Sequence, residues 1–210
     1  KFIDCSSSET KTLVQLKSDQ CIITFTNCMI TFDEPSKSCK IIKGVNPKVT
    51  FDKCDINKPG QKAIELQMKS NSLQGEFKFT NNVVKNVKSN FIDLTQSRAS
   101  FVMDGNSFEN VTLNNEYFIH IVHMQSKISL NYNNFAHFTS QGTDELRTGG
   151  ISTFFQNLEQ GTYAAYSLNY DHCTFVDIKN ERQTNSAAYG GAIHFGFGNY
   201  LSSLTINISN

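Results

Sequence analysis

Four side chains capable of acid–base chemistry occupy one position of a recurring three-residue pattern. The pattern is apolar, polar, apolar, as in Ile92-Asp93-Leu94. Its titratable central residues are Glu65, Asp93, His120 and His194. A carboxylate beside an imidazole on neighbouring strands can act as a general acid–base pair. The pattern therefore predicts a single column of residues in which catalysis could take place.

The same column has a simpler explanation, because an outward-facing strand position is polar in any soluble sheet. Polysaccharide-cleaving enzymes need two carboxylates at a set separation or a calcium site of clustered acids. The other acidic residues of this chain are spread along the sequence and include Asp52, Asp55, Asp104, Asp144, Glu145, Asp171 and Asp177. We therefore assign no catalytic residue and no cofactor, and expect the column to be a solvated face.

Short strands should carry this column, since strict alternation over a short run is typical of a strand with one buried face. A second pattern separates the strands: an apolar residue, two variable ones, Asn or Cys, one variable residue and a second apolar residue. It begins at Phe25, Phe51, Phe79, Met103, Leu130 and Tyr170, with a weaker copy at Phe2. The intervals of 23 to 40 residues are typical of repeat proteins, in which each unit buries its apolar face on its neighbours.

These patterns predict an all-β fold, a right-handed single-stranded parallel β-helix of about seven rungs, with residues 1–210 as a single domain. The right hand follows from the near-universal hand of parallel crossovers. The six apolar residues that open the clear repeats should stack in one inward column. A β-sandwich is the alternative, but it has no reason to repeat one motif in one register. Leu204 to Asn210 resemble the first strand of a further rung, which predicts that the rod continues beyond residue 210.

The Asn or Cys of each repeat predicts a structural ladder. Residues at one bend of successive rungs stack on each other, and an Asn amide can bond its own backbone or the Asn of the next rung. Asn also tolerates the left-handed conformation that such a bend often requires. Cys is small enough for the same position. The predicted ladder is Cys5, Cys28, Cys54, Asn82, Asn106, Asn133 and Cys173.

The remaining cysteines favour a disulfide near the start of the chain over a metal centre. Cys21 and Cys39 lie off the ladder, so they are bridge candidates, to each other or to Cys5. Ladder cysteines would have nearly parallel side chains, which makes a bridge between them awkward. The sequence has no CxxC pair and no histidine near these cysteines, so we expect no metal site.

Composition narrows the classes of partner. The 19 acidic and 19 basic side chains give a formal net charge of zero, which argues against nucleic acid and anionic membranes. No apolar run approaches the roughly 20 residues of a membrane-spanning helix, so we expect no transmembrane segment. Sequons at Asn110 and Asn207 are glycosylation candidates and favour secretion.

Two polar stretches interrupt the rhythm and predict loop insertions at residues 139–165 and 179–189. Loops inserted into solenoid rungs often gather on one face and carry recognition, although tolerated insertions without function are the alternative. We expect the segments around Gly142 to Thr148 and Lys179 to Ala188 to bind a protein or glycan surface.

Three segments resemble the repeat pair of the polymorphic outer membrane protein family. They are Gly190-Gly191-Ala192-Ile193, a degenerate copy at Gly149-Gly150-Ile151, and the Phe-x-x-Asn from Phe79 to Asn82. That family includes chlamydial surface autotransporters and the similar large surface proteins of trichomonads. Only one Gly-Gly-Ala-Ile is complete, and Cys often replaces Asn. The resemblance implies a right-handed β-helix at a cell surface that serves adhesion or host interaction.

The predicted function is a non-enzymatic, extracellular or cell-surface module for structure and adhesion. Two alternatives stay open. One is a polysaccharide lyase or hydrolase of pectate-lyase-like fold. The other is a subunit of a filament or larger assembly, in which rods associate end to end because the backbone groups of their end strands are unpaired.

Overall fold

The described residues form a stack of parallel strands. A computed structural model describes residues 2–3, 11–17, 21–32, 39–45, 47–67, 75–97, 99–114, 116–123, 127–142, 151–155, 164–182, 193–197 and 201–210. These residues form 21 strands and no helix. The strands belong to three sheets of seven strands each, and all the strand pairs are parallel. The predicted parallel β-helix is confirmed.

Successive strands pass from sheet A to sheet B to sheet C and back to sheet A. Sheet A contains β1 (Phe2–Ile3), β4 (Met29–Thr31), β7 (Asp55–Asn57), β10 (Val83–Val87), β13 (Ser107–Asn114), β16 (Asn134–Gly142) and β19 (Thr174–Arg182). Sheet B contains β2 (Lys11–Gln15), β5 (Cys39–Val45), β8 (Ile64–Gln67), β11 (Ile92–Ser97), β14 (Ile119–His123), β17 (Ile151–Phe155) and β20 (Ile193–Phe197). Sheet C contains β3 (Ile22–Thr26), β6 (Lys48–Asp52), β9 (Gly75–Thr80), β12 (Ala99–Asp104), β15 (Lys127–Asn131), β18 (Ala164–Asp171) and β21 (Leu201–Ser209).

The apolar residues that open the repeat form one inward column of sheet C, as predicted. Each pairs with the next along the column, which runs Phe25, Phe51, Phe79, Met103, Leu130 and Tyr170. All six side chains are buried. The rings of Phe25 and Phe51 stack with their centroids 4.4 Å apart. Stacking of identical positions thus builds a continuous core along the rod.

The second apolar position of the repeat forms an equivalent column in sheet A. Its paired members are Ile30, Ile56, Val84, Phe108, Phe135 and Phe175. The ring of Phe108 lies 5.0 Å from that of Phe135 and also meets the edge of Phe118 at 5.2 Å, measured between centroids. Sheet B closes the third side of the core with buried residues such as Ile64 and Ile92.

The Asn and Cys residues stack as a hydrogen-bonded ladder at the corner between sheets C and A. Asn82, Asn106 and Asn133 are buried. The side-chain oxygen of Asn106 accepts hydrogen bonds from the backbone N–H and the side-chain amide of Asn82, at 2.8 and 3.1 Å. The Asn106 amide donates to the carbonyl of Phe79 at 2.7 Å and to the side-chain oxygen of Asn133 at 2.8 Å.

Cysteines extend this ladder beyond the asparagines. The Cys54 thiol donates to the carbonyl of Phe25 at 3.4 Å, and the Cys173 thiol donates to the carbonyl of Leu130 at 3.3 Å. Burial raises the pKa of both thiols, so they remain protonated donors at neutral pH. Cys28 is half-buried and donates to the carbonyl of Thr26.

The left-handed bend lies one residue before the ladder, whereas the sequence suggested that the ladder Asn itself adopts it. Residues with positive φ precede each ladder member: Asn27, Lys53, Asn81, Gly105, Tyr132 and His172. These residue types share no chemistry, so the repeat pattern does not include them. A Cβ on Gly105 would lie 2.8 Å from the side-chain oxygen of Asn81. Glycine therefore relieves both the strained φ and a close approach at this bend.

The first repeat predicted from the sequence is wrong. Phe2 pairs with Ile30 in sheet A, whereas the motif would have placed it on Phe25 in sheet C. Phe2 and Cys5 have the spacing of the motif in the sequence, but Phe2 lies in a strand of a different sheet. Cys5, the first predicted ladder member, lies outside the described residues.

The predicted insertions were drawn too widely. Residues 139–142 belong to β16, Ile151–Phe155 form β17 of sheet B, and residues 164–165 belong to β18. Residues 179–182 likewise belong to β19. The 40-residue interval is thus a rung with its own three strands, and the irregular segments shorten to 143–150, 156–163 and 183–189, which lie outside the described residues.

The disulfide predicted among Cys5, Cys21 and Cys39 stays a prediction. Cys39 begins β5 and is buried, whereas Cys21 precedes β3 and is half-buried. Cys28, Cys54 and Cys173 are free thiols.

Candidate functional site

The predicted polar column is present on sheet B, with one change in order. Glu65 pairs with Asp93, and Asp93 pairs with His120. The next position is Ser152 rather than His194, which lies one rung further on. The register therefore brings Glu65, Asp93 and His120 together and separates His194 from them by a rung.

Sequence reasoning also missed Lys43, which pairs with Glu65 at the other end of this column. The apolar-polar-apolar pattern fails there because Gly44 takes the second apolar place. A Cβ on Gly44 would lie 2.9 Å from the Cβ of Leu16, so the packing requires a residue without one. Beside Ser152, Thr153 takes the second apolar place, so the pattern also fails at that rung.

Asp93 is the centre of the column and is almost completely buried, with 3% of its side chain exposed. One carboxylate oxygen lies 2.6 Å from the ammonium of Lys62, and the other lies 3.2 Å from Nδ1 of His120. Burial would raise the pKa of Asp93, but the hydrogen bonds and charge of these two partners hold it below its ordinary value. The same contact raises the pKa of Lys62. Asp93 is therefore an ionised carboxylate at neutral pH.

Glu65 forms a second set of ion pairs beside Asp93. Its carboxylate is bound by the ammonium groups of Lys40 and Lys43, the latter at 3.1 Å. Burial acts to raise the pKa of Glu65, and the two lysines outweigh it, so the pKa lies below its ordinary value. Lysine side chains thus neutralise the two adjacent carboxylates of the column, Glu65 and Asp93, where the sequence suggested a solvated face.

An open cleft of about 310 Å³ lies over Asp93 and His120. It is lined by Gln61, Lys62, Asn90, Asp93, Glu116, Tyr117 and His120. We call it the corner cleft, because five of these residues lie in connections from sheet A to sheet B or beside them. Lys62, Asn90 and Tyr117 each lie two residues before a strand of sheet B. The backbone N–H of Lys62 donates to the carbonyl of Asn90 at 2.7 Å, so the connections stack like the strands.

Hydrogen bonds between rungs fix the polar groups of the corner cleft. Glu116 accepts hydrogen bonds from the side chain of Gln61 and from the backbone N–H of Asn90, the latter at 2.9 Å. The Asn90 amide donates to the carbonyl of Tyr117 at 2.7 Å. This contact orients the amide, and none of the described residues donates a hydrogen bond to the buried side-chain oxygen of Asn90. The rings of Tyr117 and His120 stack at 5.7 Å and 17°.

The ion pairs of Asp93 disfavour a role for it as a general acid. A general acid needs a carboxyl group that stays protonated near neutral pH, and the ion pairs of Asp93 have the opposite effect. Both oxygens of Asp93 are also engaged by Lys62 and His120. The cleft nonetheless presents amide, carboxylate, ammonium and aromatic groups to a ligand.

Acid should destabilise the protein through these carboxylates. Because the folded-state pKa of Asp93 is lowered, its charge stabilises the fold above about pH 4, the pKa of an unfolded Asp, and this stabilisation is lost as the pH falls through the folded-state pKa. We expect the thermal unfolding temperature to fall as the pH is lowered below about 4. Asp93→Asn should be less stable near neutral pH and should show a shallower fall.

Asp55→Asn, on an exposed strand residue, controls for the loss of one negative charge. Parallel curves for the wild type and Asp93→Asn would show that the ion pairs of Asp93 contribute nothing to acid sensitivity.

A second groove, of about 360 Å³, lies on sheet A and contains one predicted glycosylation site. Asn110 lines it, is exposed, and has a φ of 57° within β13. Thr112, which completes the sequon, is also exposed. Asn207 is exposed in β21. Both sequons are thus accessible, and glycosylation stays a prediction.

Among the described residues, no three His, Cys, Asp or Glu side chains are placed to hold a metal ion. No helix in the described part of the chain is long and apolar enough to cross a membrane.

Comparison with known proteins adds no relative. No protein-family model, no curated protein and no solved structure matches this chain. The resemblance to the polymorphic outer membrane protein family therefore stays a prediction.

Proposed function

We propose that this protein is a non-enzymatic binding and adhesion module of a cell surface or the extracellular space, which binds its partner at the corner between sheets A and B. The partner is a protein or glycan surface. The observation that carries this proposal is that the corner cleft and two irregular segments of the sequence share this corner on consecutive rungs.

The order of strands establishes that arrangement. The corner cleft is built from the connections that lead into β8, β11 and β14. The next two connections from sheet A to sheet B join β16 to β17 and β19 to β20, and they contain residues 143–150 and 183–189. β16 and β19 pair to their last residues, Gly142 with Arg182. Both segments therefore leave neighbouring rungs from one edge.

A rigid scaffold with variable connections at one edge is a common design for recognition, since loops can change without disturbing the core. The stacked phenylalanines and the Asn ladder provide that rigidity here. A formal net charge of zero gives no reason to favour a polyanionic partner. The accessible sequons at Asn110 and Asn207 support a secreted protein, and intact-mass measurement of the natural protein would test glycosylation directly.

An enzyme is the second candidate, because Asp93 and His120 form a carboxylate–imidazole contact of 3.2 Å. Such a pair could remove a proton from a polysaccharide. The test is release of reducing or unsaturated ends from neutral and acidic polysaccharides by the purified chain. Cleavage that disappears in His120→Ala would favour this function over the proposed one.

Replacing residues 143–150 and 183–189 with short Gly-Ser linkers tests the proposed function. We expect cooperative thermal unfolding to persist, because the flanking strands keep their register, and binding to cells and to arrays of glycans and surface proteins to fall at least tenfold. The control replaces residues 68–74, which join sheet B to sheet C at another corner. Equal binding by the two variants would contradict the proposed location.

A further inference from the structure

We infer that the corner cleft binds one ring of an uncharged sugar. This inference rests on the proposed function, which requires only that the A–B corner binds a partner. It names the chemical class of that partner's contact group and the residues that recognise it.

The aromatic side of the cleft provides a stacking surface. Tyr117 is half-buried, and its ring lies nearly parallel to that of His120. The face of an aromatic ring carries partial negative charge and is apolar, so it attracts the C–H face of a sugar ring. The cleft volume of about 310 Å³ is at the lower end of the range of small-molecule sites, which suits one ring of a longer glycan.

The polar side offers fixed acceptors and donors to hydroxyl groups. Asn90 is 5% exposed, and its side-chain oxygen is an acceptor without a donor among the described residues. That oxygen has almost no accessible surface, so the acceptor open to a ligand hydroxyl is the partly exposed carboxylate of Glu116. Glu116 is held in place by Gln61 and by the backbone of Asn90. A polyhydroxylated ring satisfies such groups on several edges at once.

The charges of the cleft select against acidic sugars. Lys62 supplies one positive charge, and Asp93 and Glu116 supply one negative charge each. The Lys62 ammonium is engaged by Asp93 at 2.6 Å, which leaves Glu116 facing an incoming carboxylate. A uronic acid in this cleft would therefore meet a like charge. An uncharged hexose or N-acetylhexosamine would not.

The test measures binding of the full chain to an array of neutral oligosaccharides and of matched oligosaccharides that contain uronic acids. We expect the wild type to bind neutral members at least tenfold more tightly than their acidic counterparts. Tyr117→Ala should weaken that binding at least tenfold. Tyr132→Ala is the matched control, because Tyr132 also stacks on a histidine, His172, at 4.8 Å, but lies at the corner between sheets C and A.

A second variant keeps the inference testable if Tyr117→Ala does not fold. Glu116→Gln keeps one acceptor, for the backbone N–H of Asn90, and its amide can donate to the side-chain oxygen of Gln61 if that amide turns over. This variant should narrow the preference for neutral over acidic sugars at least threefold.

Equal binding of acidic and neutral sugars by the wild type, or loss of binding in Tyr132→Ala alone, would overturn the inference. Absence of glycan binding, while cell or protein binding still depends on residues 143–150 and 183–189, would overturn it and leave the proposed function intact. Absence of all binding would overturn both.

Discussion

Phe108→Ala should lower the free energy of unfolding by about 3–5 kcal/mol, the range for a fully buried phenylalanine whose surroundings cannot collapse. Phe108 has no exposed surface. Its ring stacks on Phe135 of the sheet A column at 5.0 Å and on Phe79 of the sheet C column at 6.1 Å, and it meets the edge of Phe118. Backbone pairing fixes the spacing between rungs, so the neighbouring rings cannot move together to fill the cavity.

Equilibrium unfolding in denaturant measures this change. Tyr132→Ala removes an aromatic ring of similar size whose residue is 59% exposed, and we expect it to change stability by less than about 0.5 kcal/mol. Similar losses for the two variants would show that the stacked column is not what holds the rungs together.

Asn106→Ala should cost about 2–6 kcal/mol, since it leaves two buried backbone groups without partners, at about 1–3 kcal/mol for each. These groups are the N–H of Asn82 and the carbonyl of Phe79. The side-chain oxygen of Asn133 loses one of its donors as well. The expected loss overlaps that for Phe108→Ala, because the ladder is a buried network in which each amide serves two rungs.

Two further substitutions separate hydrogen bonding from packing. Asn106→Cys should cost less than Asn106→Ala, because a thiol at the equivalent position of Cys54 or Cys173 donates to the carbonyl of the rung below. Asn106→Asp keeps the shape of the side chain but at neutral pH cannot donate to the carbonyl of Phe79. Its deficit should shrink in mild acid, where the buried carboxyl becomes protonated. A loss that did not differ among the three variants would indicate a packing role.

The features that recur in every rung could be predicted from the sequence. Phe51, Phe79 and Asn106 lie where a period of about one rung places them, because stacking demands the same chemistry at the same position. The register of Glu65, Asp93 and His120 also followed from alternation. The pattern did not identify Lys43 and Ser152 as members of the column, because Gly44 and Thr153 replace the apolar residue that should follow them.

The corner cleft could not be predicted in the same way. Gln61, Asn90, Glu116 and Tyr117 lie in connections between strands, where no periodic pattern links one rung to the next. Only the stacking of rungs brings these residues together. Alternation also marked Asp93 as exposed, whereas Lys62 and His120 cover it. Contacts between rungs determine whether such positions are buried, and these contacts cannot be predicted from the local sequence.

The backbone N–H hydrogen bonds of the Asn ladder all run in one direction along the stack, from each rung to the next. The backbone N–H of each ladder residue from Cys54 to Asn106 donates to the side chain of the following rung, as Asn82 does to Asn106. A rung emerging from the ribosome therefore keeps an unpaired N–H until the next ladder residue is synthesised. Each new asparagine also binds a carbonyl of the rung before it, as Asn106 does at Phe79. If rungs stack in chain order, the last rung is therefore the one whose ladder N–H lacks its partner.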